Sequence, residues 1–364
     1  MDNMADISKQ CRPLIDILTE ISDFRKEKGK RYSLTSILAL ACVAMMCGYK
    51  SYRAFSDWGH NYGKELIEAL GFTQGVVPCA ATFSNVFRRI NVKLLEIKIG
   101  KWAESILGVL NGQDNIALDG KTAKGSLKQG CKVSHFLSAL SHGLGLTLAQ
   151  NGVDIKTNEI GVVSEVLKKL VLEGRVVTMD ALLTQREVAK DILSGGGDYV
   201  MIVKENQEKL LDEVMTTFHG PYSDALKKST DETLDVGHGR IEERYITVSD
   251  ALVGYSDWPG LSQVFRLTRK TIIKKTGKVR EETVYGITSL TPEKASPSRL
   301  MGIVRCHWHI ENRSHWVRDV TFGEDNSQVH CENAPQVMAA LRNTVIGLMR
   351  SAGMTICCLP RICG

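Results

Sequence analysis

Two short apolar runs that each end on aspartate constrain the fold of this chain more than any other feature. They are Ile116-Ala117-Leu118-Asp119 and Val176-Val177-Thr178-Met179-Asp180. Runs this short and this apolar read as strands covered on both faces, the kind found in a sheet packed between helices. The segments around them keep the same rhythm. Strands are expected over 115–122, 175–182 and 199–204, helices over 159–172, 185–193 and 207–218, and a hairpin over 135–142 and 144–153 about Gly143. Gly195-Gly196-Gly197 supplies a turn. An antiparallel hairpin therefore feeds a parallel layer, giving a mixed sheet.

The flanks differ. Residues 1–112 show helical spacing only: Leu14, Ile15, Leu18 and Ile21, then a buried helix over 34–47 that Ser33 can cap, then an amphipathic stretch over 52–70. The 34–47 run is shorter than the ~20 apolar residues of a membrane span. A further helix starts near Thr82 and carries Arg88 and Arg89, which suits either a DNA-contacting helix pair or a plain solvated basic face. Residues 235–248 and 263–290 are strand-rich, with a hairpin signal at Thr276-Gly277. That hairpin carries Arg266, Arg269, Lys270, Lys274, Lys275, Lys278 and Arg280. Helices resume near 298 and 334.

Composition narrows the class. Hydrophobic content of 43% and charged content of 24% belong to a soluble globular protein. The net charge of +5 allows a nucleic-acid partner without requiring one. Ten cysteines are scattered with no Cys-x-x-Cys pair, and the chain opens on a polar stretch, so reduced thiols and a cytoplasmic location are expected. No Gly-rich phosphate loop ending in Lys-Ser/Thr and no Gly-x-Ser-x-Gly is present, which leaves nucleotide hydrolysis and serine hydrolase chemistry without support.

An aspartate inside an apolar strand is costly unless it is paired, sits at the strand end or binds metal. For Asp119 or Asp180 alone, a strand-end acid capping the next turn is the plainer account. Two such acids, each closing a buried strand, point instead to a site beyond the carboxyl ends of the sheet. The third acid comes from 306–319. Read as one helix, it puts His307, Glu311, His315 and Arg318 on one side and Ile303, Cys306, Ile310 and Val317 on the other. Glu311 could equally be a surface acid paired with Arg318 or His315, and Asp319, Glu324 and Asp325 compete with it. Three carboxylates suit hard divalent cations, which prefer oxygen ligands and serve in-line attack on a phosphodiester in pairs. Lys121, Lys204, His307 and Arg318 could meet the phosphates. Cys306, His307, His309, His315, His330 and Cys331 show no zinc-ligand spacing. Trp258 and Tyr255 could stack on an unpaired base, although loop packing is the plainer account.

Over about residues 23–350 the chain resembles the bacterial insertion-sequence transposases with an Asp-Asp-Glu triad, in the branch of the H-repeat-associated proteins. The resemblance is carried by Asp119-Gly120-Lys121, Asp180-Ala181-Leu182 with Gln185, Gly196-Gly197-Asp198-Tyr199, and Lys204 with Asn206-Gln207. His238-Gly239-Arg240 with Glu242 and Arg244 follows. Then come His307-Trp308, Ile310-Glu311-Asn312, His315-Trp316, Asp319-Val320, Phe322 and Glu324-Asp325.

This resemblance implies an α/β, RNase-H-like mixed-sheet catalytic domain with a β-rich insertion, preceded by an all-helical N-terminal domain. The expected boundaries are 1–112 for a helical, DNA-binding domain, 113–219 for the first catalytic part, 220–296 for the insertion and 297–364 for the completing helices. It implies that Asp119, Asp180 and Glu311 are the catalytic, metal-binding acids, holding two Mg²⁺ or Mn²⁺ ions. It also implies cleavage by water, strand transfer by the released 3′-hydroxyl, and contacts between the basic hairpin and element-end DNA. The expected DNA contacts are Lys121, Lys204, Asn206, Arg240, Arg269, Lys270, Lys274, Lys275, His307 and Arg318. The expected partner is double-stranded DNA, engaged by a homodimer that is nucleoid-associated when bound, with no membrane partner. The wider superfamily's Tyr, Arg and Lys signature positions are here Val304, His307 and Arg318, and the tail 354–364 departs from the family's basic helical end. Alternative readings are a catalytically impaired remnant that still binds DNA, and a cellular nuclease of the same fold.

Overall fold

The computed structural model describes residues 12–354 apart from 29, 63, 74, 110–113, 123–132, 155–158, 238 and 309. Expectations that rest on His238, His309 and the tail 355–364 lie outside the described residues. The strands are β1 (Ile116–Thr122), β2 (Val133–Ser141), β3 (Thr147–Asp154), β4 (Val176–Met179), β5 (Asp198–Val203), β6 (Ser229–Gly237), β7 (Arg240–Ser249), β8 (Gln263–Ile273) and β9 (Val279–Thr288). β2 pairs with β3, and the hydrogen-bonded order of the others is β1-β4-β5-β9-β8-β7-β6. The sheet is mixed: β1, β4 and β5 run parallel, whereas β2–β3, β5–β9 and the β6–β9 meander pair antiparallel.

The helices are α1 (Leu14–Thr19), α2 (Leu34–Met46), α3 (Tyr52–Asn61), α4 (Lys64–Ala69), α5 (Ala80–Arg89), α6 (Val92–Val109), α7 (Glu159–Leu167), α8 (Arg186–Ser194), α9 (Glu208–His219), α10 (Pro297–His307) and α11 (Ala334–Ser351). None of the described helices is long and apolar enough to cross a membrane. Two compact units share the chain, one made of Met1–Asp114, Gly120–Leu170 and His309–Gly364, the other of Asn115–Asp119 and Val171–Trp308.

In the first unit α2 is the hub. Ser33 caps it by accepting the Ser36 N–H at 2.9 Å, and Ile37, Leu38, Leu40 and Ala41 are wholly shut off from solvent. A helix that apolar can form only inside a core, and α11 supplies the other wall with Val337, Leu341 and Val345. Each fully buried Leu or Ile here contributes about 1.5–3 kcal/mol. Strand β3 lies against α6 so closely that a Cβ at Gly100 would run into the Leu148 carbonyl.

In the second unit β4 is buried along its whole length and β5 nearly so, as their Val- and Met-rich sequences require. The strand-rich stretch forms no sheet of its own. Its last strand joins β5 directly, Val200 facing Thr288 and Val203 facing Tyr285. Gly286 makes that junction possible, because a Cβ there would strike the Phe265 ring and the Met201 carbonyl. Two expected spans change. The strand over 175–182 ends at Met179, since Asp180 accepts the Ala181 N–H at 2.7 Å and starts a 3₁₀ turn over Ala181–Leu183. The helix over 159–172 ends at Leu167.

Candidate active site

Parallel pairing of β1 with β4 runs Ile116↔Val177, Ala117↔Thr178 and Leu118↔Met179. The next residues along the chain are Asp119, within β1, and Asp180, just past the end of β4. Adjacent strands lie about 4.8 Å apart, and partners in register point to the same face. Asp119 and Asp180 therefore each follow a residue of the same register pair, Leu118 and Met179. Both residues are only partly buried.

Lys204, just past the end of β5, brings its Nζ to 3.6 Å from the Asp180 carboxylate. Both groups reach solvent, so this pair is worth at most about 1 kcal/mol and leaves Asp180 open to other cations. Asn206 donates to the Ala181 carbonyl at 2.7 Å, and Gln207 donates to the Thr184 carbonyl at 3.1 Å. Thr184 in turn donates to the Ile202 carbonyl at 2.7 Å. These bonds fix the loop that carries Asp180.

His307 ends α10 and is buried, with Nδ1 2.9 Å from the Thr178 hydroxyl oxygen. The same hydroxyl lies 3.3 Å from the Ile116 carbonyl, to which it can donate. Burial pushes the imidazole down to about 4, with the nearby Asp180 charge acting in the opposite direction. At neutral pH His307 is therefore neutral, and it braces β1 and β4 rather than carrying a cation.

The stretch after α10 corrects the expectation of one continuous helix with a single polar face. The chain winds instead through π-helical turns over Glu311–His315 and Val317–Thr321. The wider i→i+5 winding breaks the 3.6-residue register. Glu311 is exposed, whereas Ile310, Ser314, Val317 and Arg318 are buried. Arg318 is wholly enclosed and grips Glu324 with two parallel bonds, Nε to Oε2 at 2.9 Å and Nη2 to Oε1 at 2.6 Å. Arg342 of α11 adds a third bond to Glu324 Oε2 at 3.1 Å. Burial alone would raise the Glu324 carboxyl, but the two guanidiniums outweigh it and hold it at about 2. Lys121 is buried as well and is ion-paired with Asp319. Burial, with Arg318 and Lys121 nearby, pushes His315 down to about 3.

The hairpin cations divide into two groups. Arg269 pairs with Glu282 at 2.7 Å and Lys270 with Glu243 at 3.3 Å, both across strands. Arg240, Lys274 and Lys275 lie at the strand tips, are exposed, and form no ion pair among the described residues. The two tips touch, the Lys274 N–H donating to the Gly239 carbonyl at 2.8 Å. Trp258 is buried beneath the Arg186 guanidinium at 5.3 Å, so it is a packing residue. Of the three acids, the fold brings Asp119 and Asp180 together, while Glu311 belongs to the other unit. Among the described residues no three His, Cys, Asp or Glu side chains stand as a ready ligand cluster. Partly exposed carboxylates such as Asp119 and Asp180 are nonetheless the donor type that suits a hard cation.

Arg342 escaped the sequence reading. Its one signal is a lone arginine among Ala339, Ala340, Leu341 and Val345, where an unpaired charge could not stay.

Residues 15–103 match the family model described as DDE_Tnp_1-associated, and residues 111–348 match the one described as transposase DDE domain. The transposase-named YncI of Escherichia coli O157:H7 is 28% identical over 346 residues, covering 93% of this chain and 87% of that one. The H repeat-associated YhhI of E. coli K12 is 28% identical over 359 residues, 93% of this chain and 91% of that one. A Xanthobacter autotrophicus protein from the dhlA 3′ region is 33% identical over 273 residues, 74% of this chain and 91% of that one.

Proposed function

Because the chain belongs to the transposase DDE family, we propose that it cuts double-stranded DNA at element ends and joins the freed 3′-hydroxyl to a target, moving the element by cut and paste. The observation that carries this reading is the parallel pairing of β1 with β4, in which Asp119 and Asp180 each follow a residue of the Leu118↔Met179 pair. We assign Glu311, exposed on its π-helical turn, as the third acid. Asp119, Asp180 and Glu311 would hold Mg²⁺ or Mn²⁺, which supplies an activated water and stabilises the departing oxygen. Lys204 screens the negative charge beside Asp180, while Arg240, Lys274 and Lys275 carry the DNA backbone and release counterions on binding. Domain limits of 1–112, 113–219, 220–296 and 297–364 accompany this reading, as does action by a homodimer on DNA.

The test is nicking and strand transfer on a duplex bearing the element's own ends, with and without Mg²⁺. Asp119→Ala, Asp180→Ala and Glu311→Ala should each lower the rate by at least about 10³-fold, which is about 4 kcal/mol of barrier. Undiminished activity in any of the three would remove that residue from the triad. A second reading, a DNA-binding remnant without catalysis, draws on the neutral, buried His307 and the enclosed Arg318 at positions where the wider superfamily keeps phosphate-handling side chains. It expects end binding with no metal-dependent product from the unmodified chain.

A further inference from the structure

The Lys121 ammonium is taken up by Asp319, with 7% of the lysine side chain and 33% of the aspartate exposed. Each end of this ion pair sits close in the chain to one of the proposed acids. Lys121 lies on β1, two residues after Asp119. Asp319 lies on the π-helical winding that begins at Glu311. The pair therefore joins the strand of one acid to the winding of another.

The strand end is fixed independently. The His135 ring of β2 presses on Gly120, where a Cβ would stand 2.5 Å from Nε2. Glycine permits that approach in the step between Asp119 and Lys121. The winding has an anchor of its own. It runs unbroken from Ile310 to Thr321, buries Ile310, Ser314, Val317 and Arg318, and is tied to Glu324 through Arg318.

One anchor leaves the winding able to pivot. The very next residue, Asp319, supplies a second anchor on β1 and removes that freedom. Continuous helical hydrogen bonding carries the rotation set at Asp319 back to Glu311. Exposed ion pairs contribute little to such a restraint. A buried ammonium deprived of its carboxylate is strongly destabilising, so Lys121 keeps Asp319 in place.

We propose that Asp319 is a positioning residue, whose ion pair with Lys121 sets the winding on β1 and so aims the Glu311 carboxylate at a divalent cation. This rests on the reading of Asp119, Asp180 and Glu311 as the metal-binding acids. It gives the buried Lys121 a task other than meeting phosphate.

The test is Mn²⁺ binding by the full chain, followed as loss of the free ion's electron paramagnetic resonance signal, alongside urea unfolding of each variant. Asp319→Asn leaves Lys121 unpaired and should lower both the Mn²⁺ affinity and the urea midpoint. Lys121→Met/Asp319→Asn removes both charges, so its urea midpoint should return toward wild type. Its Mn²⁺ affinity should stay at least about tenfold reduced, the usual effect of losing a partner that orients a metal ligand. Wild-type Mn²⁺ affinity in the double variant overturns the positioning role and leaves the triad intact. A double variant whose urea midpoint stays as low as that of Asp319→Asn makes the pair a general structural contact, which also overturns it. A wild-type chain that binds no Mn²⁺, or binds it as tightly after Glu311→Ala, overturns the triad reading and this proposal with it.

Discussion

Glu324 faces two guanidiniums, Arg318 and Arg342, with all three groups enclosed. One carboxylate cannot neutralise two buried cations, so its removal would strand both. Breaking such a buried pair costs about 3–5 kcal/mol. Glu324→Gln should therefore lower stability in urea by at least about 3 kcal/mol at pH 7. The sign with pH follows from its depressed carboxyl. The contribution is fully present above the ordinary value of 4.5 and is lost as pH falls through about 2, so wild type and variant should converge on acidification. Equal midpoints at pH 7 would mean that the triad is not a stabilising unit. At this scale the sequence was only half legible. Glu324 stood among the competing acids near Glu311, but spacing alone could not tell which acid faces solvent and which is enclosed by arginines. Arg318 shows the same limit: a 3.6-residue wheel exposed it, and the π-helical winding buried it.

The hairpin and the π-helical turns behave differently as elements. The turn at Thr276-Gly277 and the strands around it were readable because turn chemistry and alternation are local. Gly277 takes φ +67°, as such a turn requires. The charge of the hairpin was not readable, because cross-strand partners are 13 to 27 residues away, as in Arg269–Glu282 and Lys270–Glu243. This separation yields a prediction about the element. A cation already paired with a carboxylate gains less from a phosphate than an unpaired one. In a salt titration of duplex binding, Lys274→Ala/Lys275→Ala should flatten the slope by roughly 2. Arg269→Ala should change it by less than about 1. The reverse ranking would move the DNA contact from the tips to the strand face.

At the scale of the whole molecule, Glu96 shows what only assembled elements create. It lies on α6, buried, with its Oε1 accepting from Gln150 of β3 at 3.0 Å and from Gln336 of α11 at 2.9 Å. Asn343 of α11 donates to the Gln150 side-chain Oε1 at 2.7 Å, closing the network. Burial pushes the Glu96 carboxyl up to about 7, with the two amides pulling it back. A folded-state value above the unfolded one means that stability is fully present below 4.5 and lost as pH rises through about 7, a change of about 3 kcal/mol. Glu96→Gln should flatten urea midpoints across that window, and a variant as pH-dependent as wild type would rule this carboxyl out as the source. By itself the sequence determined the two buried strands that carry or precede the aspartates, the Ser33 cap, the hairpin turn and the alternation that makes a mixed sheet. Each of these follows from residues within a few positions of one another. The tertiary structure alone decided that the strands before Asp119 and Asp180 pair in parallel, that His307 is neutral, that Arg318 is enclosed and that Arg269 and Lys270 of the hairpin are paired with carboxylates. Those outcomes depend on desolvation and on neighbours distant in the chain, which no local periodicity encodes.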